Sequence, residues 1–177
     1  PVDQEGTYPL PEAQVDRFMM KVNIDYPSKR DEMEVMRRMT DAFFVSEVNP
    51  LLNKEDIFAI RAEINKVRIA EPLENYIIEL VFCTRFPDKY GMEQESRYIQ
   101  FGASPRASIN LNLAAKAVAY MDGRDYVLPE DIKEIAVDVL NHRIILNYEA
   151  EADNVSTRDI ILRILDKIPL NKAAVFN

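Results

Sequence analysis

"GASPRASINLNLAAKAVAYMDGRDYVLPEDIKEIAVDVLNHRI", Gly102 to Ile144, is the stretch on which the fold turns. Ser104 is a strong N-cap residue, and Pro105 follows at N1, where its missing N–H leaves no helical hydrogen bond unmade. Ile109, Leu113, Ala117 and Tyr120 or Met121 then recur at helical spacing. Gly123 stands where a left-handed C′ residue closes a helix. The device repeats at once, with Pro129 at N1 and Glu130 and Asp131 in a first turn that welcomes negative charge. A stripe of Ile132, Ile135, Ala136, Val139 and Ile144 follows. Two helices in tandem, each with its own start signal, predict a helical domain.

The same grammar extends both ways along the chain. "SKRDEMEVMRRMTDAF" opens on Ser28 as N-cap with Asp31 at capping-box spacing, and carries Met33, Val35, Met36, Met39 and Phe43. Asn53 is the N-cap of a helix with Glu55 and Asp56 in its first turn. "VRIAEPLENYIIELVFCTRFP" predicts an extended piece over Val67–Ile69, then a helix from Pro72 to Arg85 that Pro87 stops. "STRDIILRILDKI" joins Ser156 to Asp159 in a capping box and lines up Ile160, Leu162, Ile164, Leu165 and Ile168. Two stretches read as strands: "MKVNIDY", Met20 to Tyr26, which half-alternates and stops at Pro27, and the end of "SRYIQF". The chain is therefore mainly α, with about six helices. A loop-and-strand piece over 1–27 precedes a helical bundle over 28–177.

Composition narrows the function classes. Apolar residues make up 47% of the 177, enough for a packed core. A net charge of −8 argues against nucleic acid and anionic lipid as partners, because both reward a basic face. No apolar run reaches the ~18–20 residues of a membrane span, and "PVDQEG" lacks the basic and apolar regions of a signal peptide. An opening Pro without Met suggests a piece of a longer chain. The single cysteine, Cys83, excludes an internal disulfide and a cysteine zinc site; it reads as a small buried hydrophobe in a reducing, cytoplasmic setting. The single histidine, His142, reads as structural rather than as a base or metal ligand. The four glycines make no GK[ST] loop and no GxGxxG, so nothing here wraps a triphosphate in backbone N–H groups.

Two arginines stand out. In "EGTYPLPEAQVDRF", Glu5 to Phe18, Pro9 and Pro11 stiffen the loop, and a short helix starts at Pro11. Arg17 then sits at the far end on a rigid mount, which suits a planar guanidinium that touches phosphate; the plainer alternative is an ion pair with Asp16 or Glu12. Arg106 falls near N2 of its helix, where the dipole repels a cation, so an anion nearby would offset the penalty. The plainer alternative there is a surface arginine reaching a neighbouring carboxylate.

Taken together, "EGTYPLPEAQ-x-DRF", "GASPRA" and "GRDYV-x-PEDI" resemble the MoxR-type AAA+ ATPases, over nearly the whole chain. The resemblance implies the C-terminal portion of a longer ATPase. Residues 1–27 would be the last edge of the P-loop αβα core and 28–177 the helical lid, with the P-loop, the Walker B acids and the sensor-1 Asn upstream. It implies that Arg17 is an arginine finger acting in trans and that Arg106 is sensor 2. It implies ATP and Mg2+ in the full-length protein, with neither expected on this piece alone, which should be inactive. It further implies a ring of identical subunits, hexameric in the family, chaperone-like remodelling of partner proteins, and von Willebrand A-domain partners. A self-standing helical protein-interaction module without nucleotide function is the competing reading; a P-loop upstream in the gene separates the two.

Overall fold

In a computed structural model that describes residues 10–41 and 48–169, the chain is mainly helical, as its periodicities predict. Glu5–Pro9 of the first loop, Phe43 and the tail over 171–177 lie outside the described residues. The elements are α1 (Glu12–Val15), α2 (Lys29–Thr40), α3 (Lys54–Lys66), α4 (Glu71–Arg85), a 3-10 turn (Pro87–Tyr90), α5 (Glu93–Ser96), β1 (Ile99–Phe101), α6 (Pro105–Met121), α7 (Pro129–Leu140), β2 (Ile145–Leu146), α8 (Tyr148–Ala152) and α9 (Thr157–Lys167). They fall into two compact units, one comprising 1–21 with 63–177 and the other 22–62.

The larger unit holds the core. α6 packs against α7 and α4, and α9 packs against the same two helices. α7 buries the stripe read from its sequence, Ile132, Ile135, Ala136 and Val139, with Ile144 just beyond it. α6 does not. Its buried face is Ala107, Leu111, Ala114, Ala115, Val118 and Ala119, whereas Ile109 and Leu113 are 58% and 42% exposed. Small alanines let neighbouring helices approach closely, so the larger apolar residues point outward. α9 splits the same way, burying Ile160, Ile161 and Ile164 and exposing Leu162.

The helix ends are closed as read, with additions. Gly123 has φ +74°, and the Gly123 and Arg124 N–H groups donate to Tyr120 and Ala119 carbonyls at 2.9 Å each, a Schellman closure of α6. Asp131 is buried at the start of α7. It accepts from the Leu128 N–H (2.7 Å) and from Arg124 Nη2 (2.6 Å), which accounts for most of "GRDYV-x-PEDI" as a helix-joining device. The extended piece at Arg68 pairs with Tyr126 in a parallel bridge. β1 and β2 form a two-stranded antiparallel ladder, with Ile99 opposite Leu146. β2, α5 and α8 are short elements that the sequence reading did not separate from loop.

The smaller unit buries none of its described residues. Ser28 caps α2 by accepting from the Asp31 N–H (3.2 Å), and Asn53 caps α3 by accepting from the Asp56 N–H (2.9 Å). The expected strand over Met20–Tyr26 does not form. Val22, Ile24 and Tyr26 alternate as a strand should, yet stand 63%, 91% and 90% exposed. A strand exists by its ladder, and no described residue pairs with these.

Candidate functional site

The site assembles where the turn after α1 meets the N-terminus of α6 and the C-terminus of α7. Pro11 precedes the four-residue α1. The chain then turns tightly, with Arg17 and Phe18 N–H groups donating to Gln14 (3.2 Å) and Val15 (3.1 Å) carbonyls. The rigid mount expected of this loop is present over 11–18.

What holds the turn is Arg143, whose side chain is 0% exposed. Its Nη2 donates to the Asp16 carbonyl at 3.0 Å and to the Phe18 carbonyl, and Nη1 donates to the Met19 carbonyl at 3.2 Å. Nη1 also reaches the Val139 carbonyl, one of the acceptors that the end of α7 leaves free. Its Nε lies 3.2 Å from Asp16 Oδ1, an ion pair without hydrogen-bond geometry. His142 Nε2 stands 3.1 Å from the Phe18 carbonyl. A carbonyl only accepts, so Nε2 carries the proton, and Nδ1 is buried without a partner. Burial pushes the imidazole below its usual range against the Phe18 hydrogen bond, and the Arg143 charge pushes the same way. The structural reading of His142 holds.

α6 is positioned from α4. A Cβ on Gly102 would lie 2.4 Å from the Thr84 carbonyl oxygen, so only glycine fits this crossing. The Ala103 N–H donates to Thr84 Oγ1 (2.9 Å), and Arg85 Nε donates to the Ala103 carbonyl (2.7 Å). Ser104 then caps the helix, its Oγ accepting from the Arg106 N–H at 3.2 Å.

The two singled-out arginines differ in what they meet. Arg106 Nη1 donates to Asp16 Oδ2 at 3.1 Å, and Ser104 Oγ donates to the same carboxylate at 2.8 Å. Arg106 thus follows the plainer alternative in this structure, an arginine reaching a neighbouring carboxylate, that of Asp16. Burial raises the Asp16 pKa, but the Ser104 and Arg106 hydrogen bonds and the Arg143 and Arg106 charges outweigh it and hold the carboxyl below its ordinary 3.8. Arg17, next along the chain, does not pair with Asp16 or Glu12. Its side chain is exposed and makes no hydrogen bond or ion pair with any described residue. A cleft of about 250 Å³ opens here, lined by Glu12, Asp16, Gly102, Ser104, His142 and Arg143. A larger apolar groove of about 530 Å³ lies between α4 and α6, at Ile78, Ile109 and Leu113; neither Arg17 nor Arg106 lines it or the cleft.

The described residues include no group of three or more His, Cys, Asp or Glu side chains placed to hold a metal ion. Cys83 is buried, and burial pushes its thiol up to about 11, which removes it as a nucleophile. None of the described helices is long and apolar enough to cross a membrane. Arg143 is the residue that the sequence reading missed. The signal was there: position 143 falls between the α7 stripe and Ile144, so a cation stands inside an otherwise apolar run of buried positions.

Residues 92–164 match the AAA lid domain family. The chain is 39% identical over 170 residues to the chaperone MoxR1 of Mycobacterium tuberculosis, covering 96% of this chain and 45% of that protein. It is 37% identical to the uncharacterized protein YeaC of Bacillus subtilis, covering 99% of this chain and 52% of that one. A crystal structure described as a "putative ATPase" from Cytophaga hutchinsonii superposes with a TM-score of 0.91 at 63% identity, over 97% of this chain and 52% of that chain. The chain spans about half the length of the curated relatives it matches.

Proposed function

Because the chain belongs to the MoxR-type AAA+ family and carries that family's lid, we propose that the full-length protein hydrolyses ATP and that this portion presents two arginines to the terminal phosphate. Arg17 is the arginine finger and Arg106 is sensor 2. Residues 1–27 are the edge of the nucleotide-binding core and 28–177 the lid. The observation that carries the reading is that Asp16, the chain neighbour of Arg17, is hydrogen-bonded to Arg106. In this reading both arginines act on the same nucleotide. If Arg17 reaches a neighbouring subunit's site, Arg106 does too.

The chemistry fits. A phosphate oxygen takes the same donors as a carboxylate, so the Ser104–Arg106 end of α6 that now binds Asp16 is built for an anion. When bound, the nucleotide brings the reactive phosphoanhydride. Arg17 supplies permanent positive charge against the charge that develops as the phosphoryl group transfers, and Arg106 reports the phosphate to the lid. Magnesium ligands are not expected from the described residues and belong to the upstream core. Assembly into a ring of identical subunits, cytoplasmic location, chaperone-like work on partner proteins and von Willebrand A-domain partners complete this reading. The alternative of a self-standing module is not favoured, since the matched relatives run to about twice this length.

ATP hydrolysis by the full-length protein tests it. Arg17→Ala is expected to lose on the order of 10³-fold or more in kcat with nucleotide affinity retained. Wild-type turnover in that variant would rule the finger out.

A further inference from the structure

We infer that Arg143 is the positioning residue for Arg17: its buried guanidinium grips the backbone on both sides of the finger and aims the exposed side chain. This rests on the reading of Arg17 as the group that acts on phosphate.

The grip is specific in what it touches. Arg143 donates to the carbonyl of residue 16 on one side of Arg17 and to those of residues 18 and 19 on the other. His142, the preceding residue, donates a further hydrogen bond to the Phe18 carbonyl. One more contact comes from Lys21, whose N–H donates to the Asp138 carbonyl on α7 at 2.8 Å. Residues 16, 18, 19 and 21 are thus tied to the end of α7 through their backbone, and the side chain of 17 is left exposed, as are those of Phe18 and Met19. Helix capping explains the Val139 contact, but it gives no reason for three loop carbonyls. A fully buried cation in the turn after α7 is costly unless its donors are used. Here the planar fork spreads its donors over several acceptors, which a lysine ammonium on a flexible stem cannot reproduce.

Arg143 also sits 3.2 Å from the carboxylate that holds Arg106. Reacting groups displaced by about 1 Å lose on the order of 10²-fold in rate, so a loosened loop should show in turnover rather than in binding.

The test is a double-mutant cycle in the full-length ATPase, with kcat, KM and the circular dichroism spectrum measured for each variant. Arg143→Lys is expected to lower kcat about 10²-fold, with KM for ATP and the spectrum unchanged. In the Arg17→Ala background the same change is expected to cost nothing more, because the residue it aims is gone. A merely structural arginine would instead slow both backgrounds by the same factor. That result, or wild-type kcat in Arg143→Lys, overturns the proposal. If Arg143→Lys does not fold, His142→Ala, which removes only the Phe18 contact, is judged by the same criterion: a loss confined to the Arg17 background supports the clamp, and an equal loss or none overturns it. Wild-type turnover in Arg17→Ala alone would instead remove the phosphate reading, and the clamp with it.

Discussion

Asp16 receives Ser104, Arg106 and Arg143 within 3.2 Å, so its charge is used three times. Removing it strands a buried guanidinium. Asp16→Ala is expected to destabilise the fold by on the order of 3 kcal/mol, read from chemical unfolding. The direction of its pKa sets an acid limit. The carboxyl titrates below 3.8 in the fold, so its contribution is complete above that value and lost as pH falls through the folded-state value. His142 adds a second, milder limit. Its folded pKa lies below 6.5, so the fold favours the neutral ring, and this contribution is lost as pH falls from 6.5 through the folded value. Thermal midpoints measured between pH 7 and pH 5 are expected to fall more steeply for the wild type than for His142→Gln; parallel curves would contradict the assignment.

At the scale of elements, Gly102 is the crossing on which the placement of Arg106 depends. Gly102→Ala is expected to cost about 1–3 kcal/mol and to weaken the response of nucleotide affinity to Arg106, because the new methyl meets backbone rather than a movable side chain. The helices themselves were legible because their punctuation is local: Ser28, Asn53, Ser104, Pro105, Gly123, Pro129 and Ser156 act within a turn of where they stand. The facing of α6 was not legible, since its alanine face and its Ile109–Leu113 face are both periodic and only the neighbours decide between them. "MKVNIDY" was misjudged for a related reason: alternation shows that a segment can pair, while pairing needs a second strand. Arg17 and Arg106 were visible as residues out of place. The pairing of Arg106 with Asp16 was not, because a contact across 90 positions leaves no mark on local pattern.

At the scale of the whole molecule, the proposal assigns this chain two phosphate-facing arginines, and the relatives it matches are about twice as long. If the finger acts across a subunit boundary, full-length Arg17→Ala mixed with a variant lacking its P-loop lysine is expected to recover turnover that neither has alone. Each would supply what the other lacks; no recovery on mixing would argue for action within one subunit. The central claim concerns where two guanidinium groups point when nucleotide is bound. A structure of the assembled full-length protein with a non-hydrolysable ATP analogue measures that directly. Arg17 and Arg106 are expected within roughly 3 Å of the terminal phosphate oxygens of one nucleotide, with Arg106 released from Asp16. Both side chains left in solvent, with the Arg106–Asp16 pair intact beside an occupied site, would contradict the account.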